Sequence, residues 1–461
     1  MRSVDQKTSG RVKGVTRRLY VALRALVVLL LAVACSSPPS VAPTIPAASP
    51  SVAAPVVTRT GAPTPTPGPV LPTPPRDDAT PRSFTRLPLE SGQHDGTTHT
   101  SQGITLSPTP ARGSYTDPHS GRTIADERGT WTSSLITPAF EFEDLIASWN
   151  GTTPPGTWID VQMRATGRGR STKWYTLAVW ASGDETIRRT TVRGQDDSDG
   201  RVNVDTFERR RESLPLSQYE LRVTLHRTPG AASPIVRLLT AVVTAPGDHD
   251  IMLSPDRTAR DLDVPTLSQE THAGHYPDYD GGGEAWCSPT STAMVLAFWK
   301  AGPSGADLAA FPGAGHADGA VDHAARYTYD WSYSGAGNWP YNAAYAAGFG
   351  LESFVTRLRS LVEAERFIEA GIPLVASITG TLPGFLFTST EGHLLVIRGF
   401  EADGDVIVND PAVRANGQAR KVYPRLEFEG VWLRGSKGTV YVIRPPSVPL
   451  PSNTPGRPAN W

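Results

Sequence analysis

At 461 residues the chain is long enough for two or three domains with cores of their own. Its 44 Lys and Arg against 45 Asp and Glu leave a net charge of −1, which gives no electrostatic basis for binding nucleic acid. Two cysteines, Cys35 and Cys287, are too few for a disulfide framework. They read most economically as two separate chemistries, against the alternative of one long-range disulfide.

The N-terminus carries Arg2, Lys7, Arg11, Lys13, Arg17, Arg18 and Arg24, followed by ten apolar residues, Ala25 to Ala34, that end at Cys35. A basic segment, a short apolar run and small residues at its end mark a secretory signal over 1–35. The run is about half of what a bilayer span needs. Leu31-Ala32-Val33-Ala34-Cys35 resembles a bacterial lipobox, with Ala32 where that motif usually has Leu. The resemblance implies cleavage before Cys35, lipidation of its thiol and anchoring at the extracellular face of the cell membrane. Ordinary cleavage after Ala34 and an uncleaved anchor helix that takes in Leu19 to Leu23 stay open. Residues 36–83 hold fourteen prolines among Ser, Thr, Ala and Val. Such a segment cannot build a core and is expected to be a disordered linker rich in polyproline II. It would reach at most about 150 Å, a tether across a wall layer.

Residues 84–250 are expected to form an all-β sandwich-like domain. Phe140 and Phe142, Trp158 to Met163, Trp174 to Trp180, Val202 to Phe207, Tyr219 to Leu225 and Ile235 to Val243 alternate apolar and polar positions between turn-rich stretches. Residues 84–130 read either as a propeptide-like segment or as part of the sandwich. Trp149, Trp158, Trp174 and Trp180 invite contact with carbohydrate or cell wall, although tryptophan in strands more often packs a core.

Past Asp256 the pattern changes, and 256–446 reads as a second domain followed by a Pro-rich tail, 447–461. Trp286-Cys287-Ser288-Pro289-Thr290-Ser291 leads into an apolar helical stretch. Ser288 suits an N-cap and Pro289 the first helical position, which places Cys287 at a helix N-terminus where a thiolate is favoured. Gly392-His393-Leu394-Leu395-Val396-Ile397-Arg398-Gly399-Phe400 reads as a strand, Glu401 to Asp405 as a hairpin turn, and Val406 to Asn409 as a returning strand that ends at Asp410. A nucleophile on a helix end, with base and orienting acid on a hairpin, is a Cys-His-Asp arrangement. A strict two-residue turn at Asp403-Gly404 would pair Asp410 with Ile397. The triad therefore needs a turn centred nearer Ala402, or a bulge such as Gly404 could supply. Asn409 faces the other side.

Gln269, the Trp286-to-Ser291 segment, the His393 strand and Val408-Asn409-Asp410-Pro411-Ala412 together resemble the peptidase C39-like family over roughly 260–445. The resemblance implies an α+β papain-like fold with Cys287 as nucleophile, His393 as general base and acid, and Asp410 orienting His393. Gln269 would donate to the oxyanion together with the Cys287 amide. Some members of that family remove leader peptides and are fused to transporters; no transporter segment accompanies this chain, so that substrate is not carried over. The expected activity is hydrolysis of a peptide or related amide by a cell-surface thiol peptidase. A papain-like amidase or acyltransferase acting on cell-wall peptides uses the same residues, and an inactive tethered binding protein is the alternative from another class.

No metal or cofactor is expected. His272 and His275 with Asp278 and Asp280, and His316 with Asp318, Asp322 and His323, lack a known ligand spacing and read as two solvated loops. Gly281-Gly282-Gly283 has no Lys-Ser/Thr after it and is no phosphate loop; it lets the chain approach the cleft beside Cys287. Trp339, Tyr341 and Tyr345 read as cleft or core.

Overall fold

The computed structural model describes residues 80–247, 259–311, 316–384 and 390–461. The signal segment, Cys35 and the linker as far as residue 79 lie outside the described residues, as does the joint between the domains at 248–258. Among the described residues no helix is long and apolar enough to cross a membrane.

Alternating burial produces the N-terminal domain. Along Thr157–Gly167 and Gln218–Arg227 every second side chain is buried, so the two strands pair antiparallel over ten positions with one face inward. They form the middle of one seven-stranded sheet, and Asp144–Thr152 beside Ile235–Thr244 forms the middle of the other. The buried faces of both sheets feed one hydrophobic cluster that includes Trp131, Trp149, Met163, Leu221 and Leu239. Residues 82–132 are not a separate propeptide-like segment. Arg82–Arg86 lies along Ile235–Thr244, and Thr123–Thr132 pairs with Gln218–Arg227. Phe142 makes only an isolated bridge to Leu216, and the strand expected around it starts at Asp144.

The C-terminal domain sets helices against an antiparallel sheet ordered Glu352–Arg357, Thr439–Arg444, Leu374–Gly380, Thr390–Phe400, Val406–Asn409, Arg420–Tyr423. Its central strands are buried on both faces and read as apolar runs. Helix Cys287–Phe298 is buried from Cys287 to Leu296, because it lies between that sheet and helices Gly319–Thr328 and Trp339–Ala347.

The two domains share a polar seam. Ser148 Oγ accepts the Val355 N–H at 3.0 Å, and Asn150 Oδ1 accepts that of Ser353 at 3.1 Å. Asp144 pairs with Arg357 and with Lys437, both from the C-terminal domain. The Pro-rich end is not a solvated tail. Phe84 N–H donates to the Ala459 carbonyl at 2.8 Å, the Asn460 side-chain amide donates to the Arg357 carbonyl at 2.9 Å, and Trp461 packs on Phe367.

Candidate active site

Cys287 is the first residue of its helix, and the 3-10 turn Gly283–Trp286 runs directly into it with Trp286 at the cap position. The expected cap at Ser288 is therefore displaced. Ser288 lies inside the first turn, and its hydroxyl is shared with the Tyr441 hydroxyl at 2.9 Å, so it has no role in capping. Cys287 nonetheless sits at the helix N-terminus, with its own backbone N–H among the helix's free N-terminal donors. Ser291 Oγ donates to the Leu394 carbonyl at 3.1 Å and so ties this helix to the strand one residue past His393.

His393 lies opposite Ile378 in the sheet, and its Nε2 bonds Asp410 Oδ1 at 2.9 Å. That leaves Nδ1 for the Cys287 side chain, whose hydrogen bond and charge both act on the ring. The register that brings Asp410 there combines two devices. A three-residue turn, Ala402-Asp403-Gly404, is closed by the Glu401 N–H to the Asp405 carbonyl at 2.9 Å, with Gly404 at φ +92°. A bulge at Arg398 then moves the pairing by one more residue, so that Val396 faces Asn409. Asp410 is thereby drawn two places nearer His393 than a tight turn allows. Asn409 holds the Val264 and Pro265 carbonyls on the other side, each at 3.0 Å.

Asp410 is fully buried and fully bonded. Oδ1 also accepts the Ala412 N–H at 2.9 Å; Oδ2 accepts the Tyr423 hydroxyl at 2.7 Å and Lys421 Nζ at 3.3 Å. Burial would raise its carboxyl, but the His393 charge, Lys421 and Tyr423 hold it at about 2. Burial likewise works to lower the His393 pKa; the charge and hydrogen bond of Asp410, with Cys287, reverse that and raise it to about 10. Lys421 and Tyr423 were not found from sequence. They come from a short strand whose alternation is indistinct, and only its pairing with Val406–Asn409 brings them to Asp410.

Gln269 is buried at the start of the turn Glu270–His272, which packs on the 3-10 turn leading to Cys287. Its backbone N–H donates to the Pro411 carbonyl at 2.9 Å, directly after Asp410. One side-chain N–H is committed to Glu270 Oε1 at 3.1 Å, which leaves the amide's second hydrogen.

Cys287 opens on a cleft of about 1040 Å³ with walls from both domains. The β domain contributes the hairpin of Gly200–Asn203 and Thr206–Arg209, whose turn holds Val204 at φ +57°, a costly conformation for a β-branched residue. Beside it, Asp205 accepts the Trp339 N–H at 2.8 Å, and burial pushes its carboxyl up to about 6. Seven carboxylates line the cleft against Arg209, Arg357 and Lys437, and the last two of these are held by Asp144.

The remaining expected positions separate. Trp339 lines the cleft, whereas Tyr341 is core and donates to the Val179 carbonyl at 3.0 Å. Trp149 and Trp158 are buried, Trp180 is buried but borders a separate cavity of about 520 Å³, and Trp174 carries the Arg164 and Arg222 guanidiniums over its ring. The two supposed solvated loops are not that. His272, His275, His316 and Asp322 converge, and His272 and Asp322 are fully buried.

The Peptidase C39 N-terminal domain model matches residues 82–244, and the Peptidase C39 like family model matches residues 261–440. A solved Bacillus anthracis protein, assigned provisionally to the C39-like peptidases, is 17% identical, with 41% of this chain and 98% of that one covered and a TM-score of 0.27. A structure of infectious bursal disease virus, Gt strain, is 14% identical over 40% of this chain and 36% of that one, TM-score 0.20. The xylan-binding module CBM15 is 10% identical over 38% of this chain and 97% of that one, TM-score 0.19. No curated protein matches the chain.

Proposed function

Because residues 261–440 belong to the peptidase C39-like family, we propose that the chain is a cell-surface cysteine peptidase with a papain-like site, whose nucleophile is Cys287. The observation that carries this reading is the continuous buried relay Asp410, His393, Cys287, whose last member lines a cleft. With its pKa raised to about 10, His393 stays protonated at neutral pH beside the Cys287 side chain. Sγ attacks the scissile carbonyl carbon. The oxyanion of the tetrahedral intermediate is met by the Cys287 amide and a Gln269 side-chain N–H. Collapse breaks the C–N bond, and His393 passes its proton to the leaving amine. Water, deprotonated by His393, then hydrolyses the thioester and frees the acid.

The acidic cleft supports peptides with Lys or Arg side chains as the substrate class. The β domain then acts as one wall of the substrate site. Lipidation of Cys35 and the Pro-rich linker would hold this site away from the membrane on its outer face.

Two measurements test the reading. Iodoacetamide should alkylate Cys287 at pH 6 nearly as fast as at pH 8, and His393→Ala should restore the steep rise with pH of an ordinary thiol. Equal, slow labelling of both proteins at pH 6 would remove the ion pair and with it the peptidase. A peptide library should be cut next to basic side chains, with the preference fading at high salt; selection of acidic peptides would overturn the substrate class.

A further inference from the structure

We propose that His272, His275, His316 and Asp322 form a zinc site that fastens the segment between Gln269 and Cys287 to helix Gly319–Thr328. The site is separate from the cleft and does not depend on the peptidase reading. Asp322 Oδ1 lies 3.2 Å from His272 Nδ1 and 2.8 Å from His275 Nδ1; Oδ2 lies 3.6 Å from His316 Nδ1. The ligand atoms of His272, His275 and Asp322 all fall within 4.8 Å of one another. Bonds of about 2.0–2.1 Å to a tetrahedral zinc put neighbouring ligand atoms roughly 3.3 Å apart, and the three separations from Asp322 lie within about half an ångström of that edge.

The electrostatics point the same way. Asp322 is 1% exposed, and no Lys or Arg pairs with it among the described residues. The nearest Arg along its helix, Arg326, is engaged by Asp184. Asp322 Oδ2 has no hydrogen-bond partner among the described residues, and neither does His272 Nε2. A buried carboxylate with a bare oxygen is expensive unless a cation meets it, and three imidazoles around it select a borderline metal over Mg²⁺ or Ca²⁺. The His275 and His316 rings stack at 3.7 Å, so His316 has to turn off that ring to serve as the fourth ligand.

The backbone is shaped to bring the ligands in. His272 and His275 are joined by the His275 N–H to the His272 carbonyl at 2.9 Å. Gly282, at φ +70°, lets the returning chain pass so close that a Cβ there would lie 1.9 Å from the His272 carbonyl oxygen. The chain then enters Gly283–Trp286 and Cys287. Zinc would thus brace the loop that ends on the nucleophile at one side and begins at Gln269 on the other.

The full chain, incubated with Zn²⁺ and dialysed, should retain about one zinc per chain by elemental analysis. Co²⁺ in its place should give the visible bands of a four-coordinate ion. Asp322→Asn and His275→Ala should each weaken zinc binding roughly tenfold or more. His316→Ala, at an exposed position, should lose affinity while keeping the wild-type circular dichroism. Failure of the wild type to retain zinc would overturn the proposal. So would zinc that survives His275→Ala and His316→Ala but is lost in Cys287→Ala, because the ion would then belong to the active-site thiol.

Discussion

At the scale of single residues, the Asp410–His393 contact sets the protonation of the site. The His393 pKa rises from 6.5 to about 10, so the stability and the ion pair it supplies are fully present below 6.5 and are lost as pH climbs toward 10. Asp410 falls from 3.8 to about 2, so its contribution is present above 3.8 and lost as pH drops toward 2. Asp410→Asn removes the charge that outweighs burial. The alkaline limb of peptidase activity should then move down by units of pH, and the rate at neutral pH should fall on the order of 10²–10⁴-fold. A pH–rate profile on any cleaved peptide checks this; an unmoved alkaline limb would show that another group sets it. The identities of these residues were legible in the sequence because each sits in its own local pattern: a cysteine before a helix, a histidine inside an apolar strand, a carboxylate ahead of Pro411. The Ser288 cap was misplaced because Tyr441, far along the chain, competes for its hydroxyl.

At the scale of elements, the hairpin and the strand beyond it decide whether the acid reaches the base. The turn signal from Glu401 to Asp405 was readable, but the bulge at Arg398 was not. Arg398 leaves the ladder to donate to the Asn409 side chain and the Val264 carbonyl, each at 3.1 Å, and to pair with Asp261, partners that only the folded sheet supplies. The same holds for Arg420–Tyr423, whose Lys421 and Tyr423 complete the shell of Asp410. Tyr423→Phe keeps the ring and deletes a 2.7 Å hydrogen bond to a buried carboxylate. It should cost about 1–3 kcal/mol of stability, read by denaturant unfolding, and lower the rate less than Asp410→Asn does. An equal loss from both variants would make Tyr423 more than a support. The histidine cluster was missed for a related reason: His272 and His275 meet Asp322 only because helix Gly319–Thr328 packs on the loop before Cys287.

At the scale of the whole molecule, the question is whether the β domain is a passenger or part of the candidate site. Asp144 is the place to ask it. Its strand belongs to the β domain, its partners Arg357 and Lys437 belong to the other, and all three border the cleft. Burial works to raise the Asp144 pKa, yet the two cations hold it below its usual 3.8. The pairing therefore stabilises the seam above that pH and is lost as pH falls below it. Asp144→Ala leaves a buried guanidinium facing no counter-charge, at a cost of about 3–5 kcal/mol. If the domains were independent, this cost would fall on their contact alone, and each would melt at its own temperature. The seam argues otherwise: Asn150 and Ser148 serve backbone groups of Glu352–Arg357, and Asn460 closes the far side. Calorimetry should accordingly show one cooperative transition in the wild type, displaced as a whole to lower temperature in Asp144→Ala, with Cys287 alkylation lost in step. Two resolved transitions, with only one displaced, would make the β domain a tethered neighbour and return the cleft to the C-terminal domain alone.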